Sequence, residues 1–340
     1  MIELNTYSSE ILTLFLVGIL AFLMSIILTP VYTHFAYKHN LWKKKRQTAT
    51  TGEKLEVISK LSTRKRRVPT MAGLIIVVTV TIITLLLNLD RQQTWLPLAA
   101  LIGGATVGLI DDIINIKGTG IGVAGLRAPI KFAMITLVAA IGAWFFYYKL
   151  GYTTIQLPYV GDYHIGTLLI PLFILTVIST GNAVNISDGL DGLAGGMLLN
   201  AYGAFGIIAA LQGHFAIAAF CMTVVGALLA YIWFNIPPAR FFMGDVGSFS
   251  LGTALGVIAM LTDTVLLLPV IGVMFVLEAG STLIQIASKR MFKRKIFIAA
   301  PIHHHFEAQG WPKTKVTMRF WIISQFSALI GVMLALLGGY

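Results

Sequence analysis

The chain has 340 residues, of which 57% are hydrophobic and only 11% charged, against roughly a quarter charged in an ordinary soluble domain. That composition excludes a water-soluble fold, and it excludes disorder, which needs high charge and low hydrophobicity. The 25 Lys and Arg against 14 Asp and Glu leave a net charge of +11, which in a lipid-solvated chain is a topology signal rather than a nucleic-acid footprint.

Apolar runs near the ~20 residues needed to cross a ~30 Å hydrocarbon core recur along the whole sequence. They fall at residues 11–32, 71–89, 95–110, 130–148, 165–180, 193–211, 215–234, 248–261, 265–288 and 317–337. The expected fold is therefore an all-α polytopic membrane protein of about ten transmembrane helices, forming a single domain over residues 1–340 with no internal repeat. The first run has Glu3 and Glu10 before it, and neither a basic leader nor a small-residue cleavage site, so it reads as a retained helix and not a signal peptide. The single cysteine, Cys221, lies inside an apolar run and is expected to be a buried, inert thiol.

The cations set the orientation. Residues 38–67 hold eleven Lys or Arg and residues 289–319 hold eight, while Lys117, Arg127, Lys131 and Arg240 flank two further loops on the same side; the alternate loops offer only Arg91 and Lys149. The positive-inside rule then places the richer loops in the cytoplasm and, with ten spans, both termini outside.

The same partition sorts the acids. Asp111, Asp112, Asp188, Asp191 and Asp245 all fall at or just beyond cytoplasmic helix ends, where carboxylates face protein, water or a cation. Asp90, Asp162 and Asp263 read as ordinary turn residues. Adjacent Asp111 and Asp112 in GLIDDIINIK repel one another unless a cation offsets them, which leaves a metal or a phosphate role open; hard oxygen ligands at a water boundary suit Mg²⁺. NAVNISDGLDGLAGG at residues 182–196 sets Asp188 and Asp191 three apart, on one face if the segment is helical. FFMGDVGS places Asp245 between glycines at a helix start, where backbone amides receive an anion. PIHHHFEAQGWP carries His303, His304 and His305 in the second basic loop. Three consecutive imidazoles make a poor zinc site but can bind phosphate or move protons. The neighbouring Lys293, Arg294 and Lys295 read as positive-inside bias.

GLIDDIINIK, GLRAPIKF, NAVNISDGLDGLAGG, FFMGDVGS and PIHHHFEAQGWP, in that order, resemble the polyprenyl-phosphate N-acetylhexosamine 1-phosphate transferases over about four fifths of the chain. The PIHHHFE context points, within that family, to the branch that uses UDP-MurNAc-pentapeptide. The resemblance implies ten spans in the bacterial cytoplasmic membrane, a cytoplasmic active site, Mg²⁺ dependence and a homodimer. It also implies transfer of phospho-MurNAc-pentapeptide to undecaprenyl phosphate, giving lipid I and UMP for peptidoglycan. Carried over by position, it implies catalytic roles for Asp111, Asp112, Asp245, Lys131, His303, His304 and His305, with Asp245 the metal ligand. Asn185, Asp188, Asp191, Asn235, Phe242 and Gln285 match substrate positions, Asp191 as the uridine contact and Phe242 as a stacking face. PTMAG stands where the family often has PTMGG, and residues 47–62 match no motif. Competing readings are a UDP-GlcNAc-using transferase of the same fold, a cation-coupled transporter and a nonenzymatic scaffold. A transporter places its site near the bilayer midplane, where of all the acids only Glu278 lies.

Overall fold

The computed structural model describes residues 2–42, 68–118, 125–158 and 160–339; most of the first basic segment, including residues 47–62, lies outside them. The chain is a helical bundle. Its helices are α1 (Ile2–Lys38), α2 (Gly73–Leu87), α3 (Trp95–Lys117), α4 (Ala128–Trp144), α5 (Leu169–Ser187), α6 (Leu193–Leu211), α7 (Phe215–Asn235), α8 (Gly244–Leu261), the single turn α9 (Leu268–Ile271), α10 (Val273–Phe292), α11 (Ile302–Ala308) and α12 (Lys313–Gly338).

Among the described residues eight helices are long and apolar enough to cross a membrane, which makes this a multi-pass membrane protein. All ten expected runs are helical, but two fall short of that standard. Helix α2 has 15 residues, only about 22 Å at 1.5 Å per residue. The run expected at 265–288 breaks at Gly272 into α9 and α10, and α10 carries Glu278, Lys289 and Arg290. The fold is also not purely helical: Thr154–Leu157 (β1) and Gly161–His164 (β2) pair antiparallel, Thr154 opposite His164, in the α4–α5 connection. That hairpin is tied to the far end of α8, where the Gln156 amide donates to Asp263 Oδ1 at 3.0 Å.

Helix α8 is the axis of the bundle, and almost every residue of it is buried. Its glycines, serines and Thr253 present little bulk, so neighbouring backbones approach closely, as in small-residue packing within membranes. A methyl added at Gly104 or Gly108 of α3 would lie 2.7 or 2.1 Å from the carbonyl oxygens of Phe249 or Asp245 in α8, and one at Gly252 would lie 2.7 Å from the Thr180 carbonyl oxygen of α5. Cross-helix hydrogen bonds fix the rotation: Thr253 Oγ1 donates to the Ala100 carbonyl at 2.9 Å and Tyr202 Oη to that of Leu251 at 2.7 Å. Cys221 is buried as expected.

Because α3 runs toward one end of the bundle while α4 and α8 start there, the C-terminal turns of α3 meet the first turns of α4 and α8. This juxtaposition positions the candidate site.

Candidate active site

The apolar pattern of α3 stops at Ile110, yet the helix continues to Lys117. Asp111 and Asp112 are therefore helical residues, both almost wholly buried at 1% and 0% exposure, and not loop residues beyond a helix end. Asp111 Oδ1 accepts the Leu126 amide at 2.6 Å. This closeness needs Gly125, which has φ +90° and whose added Cβ would sit 2.7 Å from that same oxygen. Asp112 Oδ2 accepts the Val246 amide at 3.1 Å and lies 2.6 Å from where a Cβ on Gly244, at φ +78°, would be. The glycines of GLRAPIKF and of FFMGDVGS thus let the backbone wrap two carboxylates.

Lys131, in the first turn of α4, joins them to the third acid. Its Nζ lies 2.9 Å from Asp111 Oδ2 and 2.8 Å from Asp245 Oδ2, and 5.3 Å from the Phe249 ring centroid. Four of the expected catalytic residues, Asp111, Asp112, Lys131 and Asp245, are thereby gathered from three helices at one end of the bundle. Two carboxylates on one ammonium, with a third buried alongside at Asp112, leave the cluster net negative, a setting for a cation.

The α5–α6 connection lies beside it. Asp188 caps the end of α5, and Gly192 at φ +76° opens α6. Asp188 and Asp191 thus do not share a helical face, because the segment between them is a turn. Asn185 Nδ2 donates to Ser248 Oγ at 2.9 Å, linking α5 to α8. Asp191 Oδ2 accepts the Ala239 amide at 3.1 Å. Asn235 is buried with both amide ends committed, accepting from the Gly192 amide at 2.8 Å and donating to the Phe241 carbonyl at 2.7 Å. Gln285 is committed in the same way, accepting from the Ile296 and Phe297 amides at 3.0 Å each and donating to the Phe297 carbonyl at 2.9 Å. Both amides are spent on backbone. Phe242 is half-buried and holds the PTMAG segment by backbone: its amide donates to the Pro69 carbonyl at 2.8 Å and its carbonyl accepts from Ala72 at 3.0 Å. Ala72, with φ −65°, sits in a conformation that tolerates its methyl group.

The three histidines occupy a short helix, α11, instead of a loop, and their side chains diverge. His303 Nδ1 lies 2.8 Å from Glu278 Oε2, both residues almost fully buried. His304 Nδ1 donates to Glu307 Oε2 at 2.6 Å, and His305 Nδ1 accepts the Ile298 amide at 3.2 Å. Burial lowers the His304 pKa despite the opposing Glu307 hydrogen bond; for Glu307, burial is outweighed by that bond and by the charge of Lys313, which lower its pKa. The pair is thus a neutral imidazole against a carboxylate at neutral pH. Nε2 of His303 is buried, has no hydrogen-bond partner among the described residues and lies 2.3 Å from where a Cβ on Gly189 would be. It faces the acidic turn at a residue that has no side chain to block it.

Glu278 and Glu307 are the residues that motif reading missed. The signal for Glu278 was its position as the one acid well inside an apolar run, which demands a buried partner. Glu278→Ala is expected to strand the His303 ring and to cost about 1–3 kcal/mol of stability. Glu278→Gln keeps an acceptor and should retain most of it; equal melting temperatures for wild type and both variants in detergent would remove this pairing from the account.

A divalent cation fits this donor set. Mg²⁺ takes one or two carboxylates and completes its shell with water and substrate phosphate oxygens, so a cage of protein ligands is not required, and among the described residues no three His, Cys, Asp or Glu close on one point. The Lys131 ammonium between Asp111 and Asp245 already shows that the two carboxylates receive a cation.

Comparison with known proteins bears on the same residues. Residues 94–263, which include Asp111, Asp112, Lys131, the α5–α6 turn and Asp245, match the family described as glycosyl transferase family 4. The chain is 40% identical over 333 residues to the phospho-N-acetylmuramoyl-pentapeptide-transferase of Chloroflexus aggregans and 39% identical to that of Chloroflexus aurantiacus, in each case over 94% of this chain and 88% of the relative.

Proposed function

The chain belongs to glycosyl transferase family 4 and, within it, to the phospho-N-acetylmuramoyl-pentapeptide-transferases, and from that premise we infer that it performs their reaction in peptidoglycan synthesis. The donor is UDP-MurNAc-pentapeptide, the acceptor undecaprenyl phosphate, and the products lipid I and UMP. The observation that carries the reading is the Asp111–Lys131–Asp245 bridge beside buried Asp112, in a membrane-spanning bundle. In this reading the site faces the cytoplasm, the basic loops lie on that side of the bacterial inner membrane, and the protein works as a homodimer.

Phosphoryl transfer joins two anions, so positioning and charge neutralisation supply most of the catalysis. An acceptor phosphate oxygen forms the new bond to the β-phosphorus of the donor, and the bond from that phosphorus to the bridging oxygen breaks, leaving the electron pair on UMP. A bound Mg²⁺, held by Asp245 with Asp111 or Asp112, would polarise the diphosphate and offset charge on the departing UMP. Lys131, hinged between two carboxylates, can turn one of its protons to an incoming phosphate oxygen. A phosphomonoester has its second pKa near 6 and is mostly a dianion at pH 7, so an aspartate base removes a proton only from the minority monoanion. Fixing Lys131 and the bound cation, which would hold the phosphate in line, is the larger task for Asp111 and Asp112. The Asp188–Asp191 turn and Phe242 frame the nucleoside, and the His303–His305 helix closes the site over the sugar phosphate.

Donor competition tests the reading. UMP release is expected with UDP-MurNAc-pentapeptide, lost on addition of EDTA and restored by Mg²⁺, and absent with UDP-GlcNAc. Turnover of UDP-GlcNAc at a comparable rate would move the chain to the other branch of the family.

A further inference from the structure

Where α11 hands over to α12, two cations converge on one indole. Trp311 stacks on Phe306 with ring centroids 4.8 Å apart, and the Lys315 ammonium and the Arg319 guanidinium lie 4.6 and 4.4 Å from its centroid. Lys315 and Arg319 are four residues apart on α12, so they are like charges on the same helical face, an arrangement that is destabilising on its own. They also stand in the first two turns of a 26-residue helix, where the macrodipole disfavours cations. Glu307 of α11 is engaged by His304 and by Lys313 at 3.5 Å, and among the described residues neither Lys315 nor Arg319 forms an ion pair. The indole offsets part of this cost; an anion would offset the rest.

The length of α12 identifies where that anion comes from. Its 26 residues span about 39 Å at 1.5 Å per residue, against a hydrocarbon core of ~30 Å. About six residues at the basic end therefore reach the headgroup layer, which sets Lys315 among lipid phosphates and Arg319 at their boundary. One further turn along, Met318, Ile322 and Phe326 are exposed apolar side chains, so the helix offers cations above and a strip for acyl chains below. We propose that Trp311, Lys315 and Arg319 form a seat for the phosphate of an anionic phospholipid in the leaflet at the active-site end. Attraction of basic groups to anionic leaflets is general; two cations on one indole make this a defined site, distinct from the Lys293–Lys295 segment, where among the described residues a single cation, Arg294, lies over a ring, 6.0 Å from the Phe292 centroid.

The test uses the full chain purified in neutral detergent and titrated with dioleoyl phosphatidylglycerol in native mass spectrometry, with dioleoyl phosphatidylcholine as the zwitterionic control. The wild type should bind phosphatidylglycerol about tenfold more tightly than phosphatidylcholine. Lys315→Gln/Arg319→Gln and Trp311→Ala should abolish that preference, Trp311→Phe should keep part of it, and Lys293→Gln/Lys295→Gln should leave it intact. Inorganic phosphate at matched concentration should not displace the lipid. The proposal is overturned by an unchanged preference in Lys315→Gln/Arg319→Gln, by an equal loss in Lys293→Gln/Lys295→Gln, or by displacement with phosphate alone. UMP release is measured alongside: a raised KM for the peptide donor with phosphatidylglycerol binding unchanged would assign the patch to a peptide carboxylate and also overturn the lipid seat. Lipid binding is read without turnover, so its outcome does not depend on the transferase reading.

Discussion

Asp245→Ala is expected to abolish transfer while leaving the protein folded. The substitution removes the oxygen 2.8 Å from Lys131 Nζ and the carboxylate proposed to hold the cation, so a loss of roughly a thousandfold or more is expected, at least that of deleting one preorganised electrostatic contact. The fold should survive because the bond between α3 and α8 at this point, from the Val246 amide to Asp112, uses backbone that the substitution leaves in place. Asp112→Asn should be nearly as severe, since an amide cannot supply the negative charge. The measurement is UMP release at saturating donor, with melting temperature as the folding control. Turnover within tenfold of wild type in Asp245→Ala would remove the assignment of the metal-binding carboxylate.

Gly108→Ala should be among the most damaging single methyl additions in the bundle. The new Cβ would fall 2.1 Å from the Asp245 carbonyl oxygen and 2.5 Å from the Val246 amide nitrogen; these are backbone atoms of the buried central helix and cannot rotate aside. Helices α3 and α8 must separate, at a cost of about 1–3 kcal/mol or more for overpacking, and the separation would pull Asp111 and Asp112 away from Asp245. Both melting temperature and UMP release should fall. At Gly103 the added methyl meets the Val138 side chain at 2.7 Å, which can change rotamer, so a milder effect is expected. At Gly203 the added methyl would meet no described atom within 4 Å beyond its own stretch of helix, and alanine there should be neutral or slightly stabilising through helix propensity. Equal melting temperatures for the Gly108 and Gly203 variants would contradict the close α3–α8 packing.

Much of the helix content was legible in hydropathy, because a lipid-crossing helix must be apolar over most of its length. The departures have local causes. Hydropathy ends where polar residues begin, but helical hydrogen bonding does not, so α3 runs on past Ile110 and carries Asp111 and Asp112 inside it. Gly272 ends one helix and starts another within a run that is apolar on both sides of it. The α4–α5 hairpin is four residues a side and too brief for its alternation to stand out. The histidines looked like a loop because they follow a basic stretch, whereas Pro301 begins a helix there and sends each ring to a different partner.

For the site, residue type and order were enough to nominate Asp111, Asp112, Lys131, the Asp188–Asp191 turn, Asp245 and the histidines. They did not show that Asn235 and Gln285 spend their amides on backbone, or that Glu278 serves His303, because such partnerships are set by how separate segments pack together.

The sequence by itself determined the solvent of this protein and the ends of the helices at which its few charges stand, since transfer free energies act residue by residue. Only the tertiary structure decided which charges meet. Lys131 bridges Asp111, 20 residues away, and Asp245, 114 residues away, because a seam of glycines lets α3 lie backbone to backbone against α8. Shape complementarity over such separations is a property of two surfaces together, and neither surface announces its partner.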